Sequence, residues 1–244
     1  MSGPPFHIKS KRGEIAERVI VAGDPARVEQ VSKMLENPRV VNTNRGFLTY
    51  TGEYHGVPIT VATHGIGGPS AAIVFEELRM LGAKVVVRLG TCGGLIKELS
   101  KGDIVIATGA AYYVGGNAIG IYAHEACMPT APHYEVTSAL VSSAEKYGVK
   151  YFLGPVISSD AFYAEDPDFA KKWGERGVIA VEMECAVLFA LGWMRNVKTG
   201  ALLIVSDSLV KPEEASLADA EELKEKVNIA AKLVLDALVN VKTQ

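Results

Sequence analysis

The stretch Val85-Val86-Val87-Arg88-Leu89-Gly90-Thr91-Cys92-Gly93-Gly94 sets one arginine in an otherwise apolar, β-branched run. Such a run reads as a strand buried on both faces, the condition of a strand inside a parallel sheet. A guanidinium there costs several kcal/mol unless something anionic meets it. Two partners suit it: a carboxylate of the chain itself, or an anion such as phosphate supplied from solution. The small residues that follow would let a ligand approach the backbone closely.

Outward from this strand, apolar strand patterns alternate with helical ones. Val19–Ala22 is strand-like, and Asp24-Pro25 reads as an N-cap followed by proline at the first helical position. Gly46–Tyr54 and Val57–Thr63 suggest a hairpin turning at His55-Gly56. Pro69–Leu81 has helical spacing, Lys84–Leu89 is the strand already quoted, and Asp103–Thr108 is another. Val136–Tyr147 reads as helix, Tyr151–Ser158 as extended, Phe169–Arg176 as a short helix and Ile179–Met194 as a longer, apolar one. Gly200–Ser206 is a further buried strand, and Glu213–Val241 closes the chain as a helix. The alternation predicts an α/β sheet with helices on both faces, within a single domain over 1–244, and ligands at the strand carboxyl ends.

The 244 residues are 48% hydrophobic, enough for a large core, and the formal charge of -3 disfavours a nucleic-acid surface or an anionic membrane. An anion site must therefore be local. No apolar run has the length of a membrane span, and the first residues lack the apolar segment of a signal peptide. Cys92, Cys127 and Cys185 are far apart and lack metal-ligand spacing, so no metal and a reducing cytoplasmic setting are expected.

Four segments at strand ends could carry chemistry. Gly23-Asp24-Pro25-Ala26-Arg27 offers free N–H groups at a helix start with an arginine in the first turn, a position unfavourable against the helix dipole unless an anion binds. Thr63-His64-Gly65-Ile66-Gly67-Gly68-Pro69-Ser70 imitates a dinucleotide fingerprint, but Arg88 stands where an acidic residue belongs and Pro69 breaks the pattern, which argues against a nicotinamide cofactor. Val181-Glu182-Met183-Glu184 brings two carboxylates into an apolar helix start, about 200° apart on that helix. At least one must be satisfied internally, by backbone N–H groups or by a ligand diol. Asp207, after Ser206 at the end of a buried strand, suits a general acid, although an N-cap or turn aspartate has the same sequence appearance. Phe162-Tyr163 offers aromatic surface to a flat base.

Together the segments Gly-Asp-Pro-x-Arg, Arg-x-Gly-Thr-Cys-Gly, Phe-Tyr, Val-Glu-Met-Glu and Ser-Asp resemble those of the nucleoside phosphorylase superfamily. The resemblance is to its hexameric purine nucleoside phosphorylase type, including the archaeal 5′-methylthioadenosine phosphorylases, and it runs from His7 to the C-terminal helix. It implies a three-layer α/β sandwich whose central mixed sheet is partly barrel-like. It also implies phosphate-dependent, reversible cleavage of purine nucleosides, 5′-methylthioadenosine among them, to free base and ribose 1-phosphate. No cofactor is implied, inorganic phosphate being a co-substrate. By the resemblance Gly23, Arg27, Arg88 and Thr91 bind phosphate, joined by Arg45 of a neighbouring subunit, whose His7 reaches the ribose 5′ end. Met183 and Glu184 hold the ribose. Phe162 stacks on the base, Cys92, Gly93, Val181 and Glu182 line its pocket, and Asp207 beside Ser206 protonates the leaving purine. A homo-oligomer, a hexamer built as a trimer of dimers, follows from the same resemblance.

Two departures bear on substrate. Bacterial hexameric relatives have an arginine after the catalytic aspartate, whereas Ser208–Lys226 has none and only Lys211 lies near it in sequence. Either Lys211 replaces it or Asp207 acts alone. Uridine phosphorylases read uracil with a glutamine and an arginine shortly after Phe-Tyr; Ala164-Glu165-Asp166-Pro167-Asp168 stands there instead, which favours purines. A uridine phosphorylase or a hydrolytic nucleosidase of the same fold is the alternative among enzymes, and a non-catalytic nucleoside- or phosphate-binding module the alternative outside them.

Overall fold

The computed structural model describes residues 4–163, 166–219 and 221–243. Its strands are β1 (Arg18–Ala22), β2 (Glu36–Asn42), β3 (Thr49–Tyr54), β4 (Val57–Thr63), β5 (Val85–Gly94), β6 (Ile104–Tyr112), β7 (Tyr151–Ser158), β8 (Ala180–Glu182) and β9 (Lys198–Ser208). They form one sheet in the order β2-β3-β4-β1-β5-β8-β7-β6-β9, and β9 pairs back with β5. Strands β5, β8, β7, β6 and β9 thereby close into a ring, with β1 to β4 as an open wing. This is the mixed, partly barrel-like sheet of the resemblance.

Helices α1 (Pro25–Ser32), α4 (Tyr134–Lys146) and α7 (Lys224–Asn240) pack on one side, α2 (Gly68–Leu81) and α6 (Cys185–Arg195) on the other; α3 (Ile119–Tyr122) and α5 (Phe169–Gly174) are short. The side-chain period of two divides the core between these layers. Val85, Val87 and Leu89 of β5, with Leu202 and Ile204 of β9, pack toward α1, α4 and α7. Val86 and Cys92, with Ala201, Leu203 and Val205, pack toward α2 and α6. Arg88 shares the parity of Val86, so its side chain is delivered to the α6 side.

β5 is the strand that organises the ligand-facing end. It runs parallel to β1, with Val21 opposite Arg88, and parallel to β9, with Arg88 opposite Ala201. At its carboxyl end Gly93 stands opposite both Val181 of β8 and Asp207 of β9. The β5–β9 ladder slips there: Cys92 pairs with Val205 but Gly93 with Asp207, so Ser206 is an extra, bulged residue. The carboxyl ends of β1, β4, β5 and β9 thus lie side by side.

Local expectations hold where local chemistry decides. Asp24 caps α1, its Oδ1 accepting from Ala26 N at 2.8 Å with Pro25 at the first helical position, and β3 and β4 form the hairpin turning at His55-Gly56. The helix expected over Ile179–Met194 is corrected to β8, a turn and α6, because pairing of Ala180 and Val181 with β5 and β7 claims the first residues for the sheet. The closing helix starts at Lys224, and Pro212–Glu214 forms a 3₁₀ turn instead; Ala220 lies outside the described residues. The edge strand β2 and helix α3 carry no clear apolar period in the sequence. Cys92, Cys127 and Cys185 are all free thiols. Among the described residues no helix is long and apolar enough to cross a membrane, and no group of side chains could hold a metal ion.

Far from the strand ends, one polar knot ties α4 and β3 to α7. The buried Asp236 accepts from Tyr54 Oη at 2.9 Å, from Lys146 Nζ at 3.2 Å and from Tyr147 Oη. Burial alone would raise the Asp236 pKa; the two hydroxyls and the ammonium outweigh it and lower it. Its stabilising contribution is therefore full above the ordinary carboxylate range and is lost as pH falls through the lowered value. Asp236→Ala should lower the unfolding free energy by about 1–3 kcal/mol at pH 7, and by less near pH 3, measured by urea denaturation at both pH values.

Candidate active site

Arg88 is 4% exposed, and every nitrogen of its guanidinium has a protein partner. Nε donates to Glu182 Oε2 at 3.0 Å, Nη2 pairs with Glu184 Oε2 at 2.6 Å, and Nη1 meets His64 Nε2 at 3.0 Å. Its charge is thus met inside the protein by two carboxylates, the first of the two partners that the sequence left open. Burial pulls the Arg88 pKa down, but Glu184 and Glu182 outweigh it and raise it. A guanidinium has five N–H groups. Three are engaged here, so one N–H remains on each terminal nitrogen for a further acceptor.

Gly90 makes that pose possible. It lies on the same strand face two residues on, and a Cβ there would stand 2.6 Å from Arg88 Cζ. The arginine folds back over the glycine instead of projecting from the sheet.

Glu182 and Glu184 correct the picture of two carboxylates on a helix. Glu182 ends β8 and Glu184 occupies the N-cap of α6, and both are buried. Glu182 is saturated by the protein: besides Arg88 it accepts from Ser158 Oγ, from Glu184 N at 2.8 Å and from Cys185 N at 2.9 Å. Its carboxylate is therefore internal, contrary to an expected place in a base pocket, and only its backbone is left for that role. Glu184 binds Arg88 and accepts from Gly67 N at 2.6 Å. Burial raises its pKa, with the Arg88 charge opposing.

Arg27, in the first turn of α1, lies close enough to Arg88 and Glu184 to feel both charges; burial and then the Arg88 charge lower its pKa. Its Nε is buried with no hydrogen-bond partner among the described residues. Gly23 is packed against the Gly65 carbonyl, 2.9 Å from where a Cβ would be, with His64 Cε1 at 3.6 Å. Thr91 is half-buried opposite Ile204. Gly23, Arg27 and Arg88 therefore lie at one strand end, where the Glu184 charge reaches both guanidiniums, Asp24 acts on Arg27, and Glu182 and the His64 ring contact Arg88.

His64 is the residue that sequence reasoning missed. It was read as part of a Gly-rich turn, yet its ring is fully buried against Arg88. Burial, then the Arg88 charge, hold its pKa well below the usual histidine value. Because a guanidinium only donates, Nε2 accepts and the proton sits on Nδ1. A histidine just past the end of a largely apolar strand is the signal that the sequence offers.

On the far side of Gly93, Asp207 is half-buried. Ser206 Oγ lies 2.7 Å from Asp207 Oδ1 and 3.2 Å from the Cys92 carbonyl. Oδ2 lies toward Gly93, 3.4 Å from its would-be Cβ, and Val181 Cγ1 lies 3.2 Å from the same point. Burial raises the Asp207 pKa, with Ser206 and the Lys101 charge opposing. Lys211 has other partners: Nζ donates to Ser100 Oγ at 2.7 Å and pairs with Glu214. Met183 is half-buried and its carbonyl accepts from Asn117 Nδ2 at 2.8 Å. Phe162 is 63% exposed and Tyr163 90%, their rings 5.0 Å apart edge to face, so neither is core. Ala164 and Glu165, part of the segment that favours purines, lie outside the described residues.

His7 and Arg45 meet on one surface although 38 positions separate them. His7 Nδ1 binds Glu77 Oε1 at 2.8 Å, Asn44 Nδ2 donates to the Phe6 and His7 carbonyls, and the exposed Arg45 guanidinium stands 5.9 Å from the Phe6 ring centroid. Arg45 takes a left-handed backbone, φ 55°, unusual for its type.

A family model described as the phosphorylase superfamily matches residues 17–240. The chain belongs to the phosphorylase superfamily. It is 34% identical over 237 residues to a guanosine phosphorylase of Halorubrum lacusprofundi, covering 95% of this chain and 97% of the relative. It is 40% identical over 211 residues to a uridine phosphorylase of Treponema pallidum, covering 82% and 81%. A crystal structure of purine nucleoside phosphorylase from Toxoplasma gondii in complex with immucillin-H superposes with a TM-score of 0.88 at 29% identity, covering 98% of each chain. Phosphorylases of this superfamily act on nucleosides and phosphate, two ligands for which the strand ends hold separate donor and acceptor groups.

Gly90→Ala tests the Arg88 pose. The added methyl must push the guanidinium off Glu184 and His64, costing about 1–3 kcal/mol of stability and weakening phosphate binding about tenfold or more. Calorimetric titration with phosphate reads the second effect, and affinity equal to the native protein's would refute it.

Proposed function

We propose that the chain catalyses the phosphate-dependent, reversible cleavage of purine nucleosides, giving free purine and ribose 1-phosphate. The observation that supports this best is the pair Arg27 and Arg88. One has a buried Nε without a partner among the described residues, and the other keeps one N–H on each terminal nitrogen after its internal bonds. An attacking water would need neither.

In this reading Gly23 N, Arg27, Arg88 and Thr91 hold phosphate, with inorganic phosphate as co-substrate and no cofactor. Glu184 accepts the ribose 2′ and 3′ hydroxyls beside Met183. The base lies over Gly93, lined by Cys92, Val181 and the Glu182 backbone, with Phe162 folding onto it. A phosphate oxygen forms a bond to C1′ as the C1′–N9 bond breaks, and its electron pair leaves with the base. The negative phosphate stabilises the positive charge that develops on the sugar ring. Asp207 gives its proton to purine N7, turning a poor anionic leaving group into a neutral one. Ser206 donating to Oδ1 leaves Oδ2 to carry that proton. The raised Asp207 pKa keeps the acid form present to higher pH than for a free aspartate.

The common surface of His7 and Arg45 supports a role outside their own subunit, where Arg45 would meet a neighbour's phosphate and His7 a neighbour's ribose 5′ end. A homohexamer in the cytoplasm is proposed on that basis and on the family. The 40% identity to a uridine phosphorylase makes uridine the substrate to test against.

Base release from inosine, guanosine, adenosine, 5′-methylthioadenosine and uridine should require phosphate and should favour purines; release without phosphate would identify a nucleosidase. Asp207→Asn should lower kcat about 100-fold or more while phosphate still raises the melting temperature. In the native enzyme the rate of cleavage should fall as pH rises through the raised Asp207 pKa, and a flat profile would remove Asp207 as the acid. Light scattering should give an oligomer, and Arg45→Ala should weaken phosphate use only if the oligomer forms.

A further inference from the structure

Glu184 stands at the N-cap of α6, where a carboxylate ordinarily turns back to accept the free N–H groups of its own helix. It does not do so. Those N–H groups are already taken: Cys185 N by Glu182, Ala186 N by Ser158 Oγ at 2.9 Å, and Val187 N by Asn117 Oδ1 at 3.0 Å. Relieved of capping, Glu184 is turned toward Gly67 N and Arg88.

Asn117 comes from the loop between β6 and α3 and is 1% exposed. Its amide is fully used: Oδ1 caps Val187, while Nδ2 donates to the Met183 carbonyl at 2.8 Å and to Asp160 Oδ1 at 3.1 Å. Its backbone N donates to Asp160 Oδ2 at 2.6 Å. Asn117 and Ala118 are consecutive left-handed residues, φ 54° and 64°, a conformation two non-glycine residues hold only when the surroundings impose it. Gly68, beside the Gly67 that binds Glu184, packs so close that a Cβ would lie 2.7 Å from Asn117 Cγ. One buried amide therefore touches both sides of the Glu184 turn and the segment leading to Phe162.

We propose that Asn117 is a positioning residue that caps α6 in place of Glu184 and so keeps the Glu184 carboxylate available to the ribose; this rests on the assignment of Glu184 to the ribose hydroxyls. Without Asn117, the Val187 N–H loses its acceptor and Glu184 is drawn back onto its own helix.

The test measures inosine and phosphate separately, as Kd by calorimetry and as KM in turnover. Asn117→Ala should weaken inosine about tenfold or more while phosphate changes less than about threefold. Asn117→Asp keeps the cap acceptor but sets a carboxylate against Asp160, so it should weaken inosine as well. Adding Asp160→Asn removes the repulsion between the two carboxylates but leaves the Met183 carbonyl without its donor, so it should recover part of that loss. The double variant keeps side-chain volume and is the decisive one if Asn117→Ala does not fold. Unchanged inosine binding in folded Asn117→Ala, equal weakening of both ligands, or no recovery in the double variant would each overturn the proposal. A native protein that binds phosphate but no nucleoside would instead overturn the ribose assignment on which it rests.

Discussion

Burying the Arg88 guanidinium in the middle of a sheet is the constraint around which the strand ends are arranged. The charge cannot stand there alone, so the fold brings Glu182 to it from the end of β8, Glu184 from the N-cap of α6 and His64 from the end of β4. Gly90 then has to lack a side chain, the Glu182 carboxylate has to be saturated, and His64 has to stay neutral. Each condition follows from the same electrostatic demand in a medium that screens poorly.

The demand is also what links the two halves of the site. Glu184 is shared between Arg88 and the backbone N–H of Gly67. Any anion that draws on Arg88 competes with Glu184 for the same guanidinium, and any hydroxyl that draws on Glu184 loosens its hold on Arg88. On the proposed assignment of phosphate to Arg88 and ribose to Glu184, the two substrates would be coupled through one ion pair.

Much of this was legible in the sequence because it is local. An arginine in a β-branched run demanded an anionic partner, Asp24-Pro25 announced the start of α1, and the His55-Gly56 turn announced the hairpin. The sequence could not say which partner Arg88 takes, since Glu182 lies 94 residues away and is brought close only by β8 pairing with β5. The same pairing explains why the apolar run from Ile179 was read as one helix: a three-residue strand has no period of its own, and only its neighbours define it. His64 and Asn117 were missed for a similar reason. Their meaning lies in what they touch, and neither has a spacing that would mark it.

The bulge at Ser206 carries a lesson about chain length. Alternate residues of a strand look to opposite sides, so in a ladder without the bulge Ser206 would stand opposite Gly93, and Asp207 would stand opposite Gly94 with its carboxyl turned away from the Gly93 floor. The aspartate would survive in the sequence and lose its place beside Gly93. In β9, counting residues matters as much as naming them.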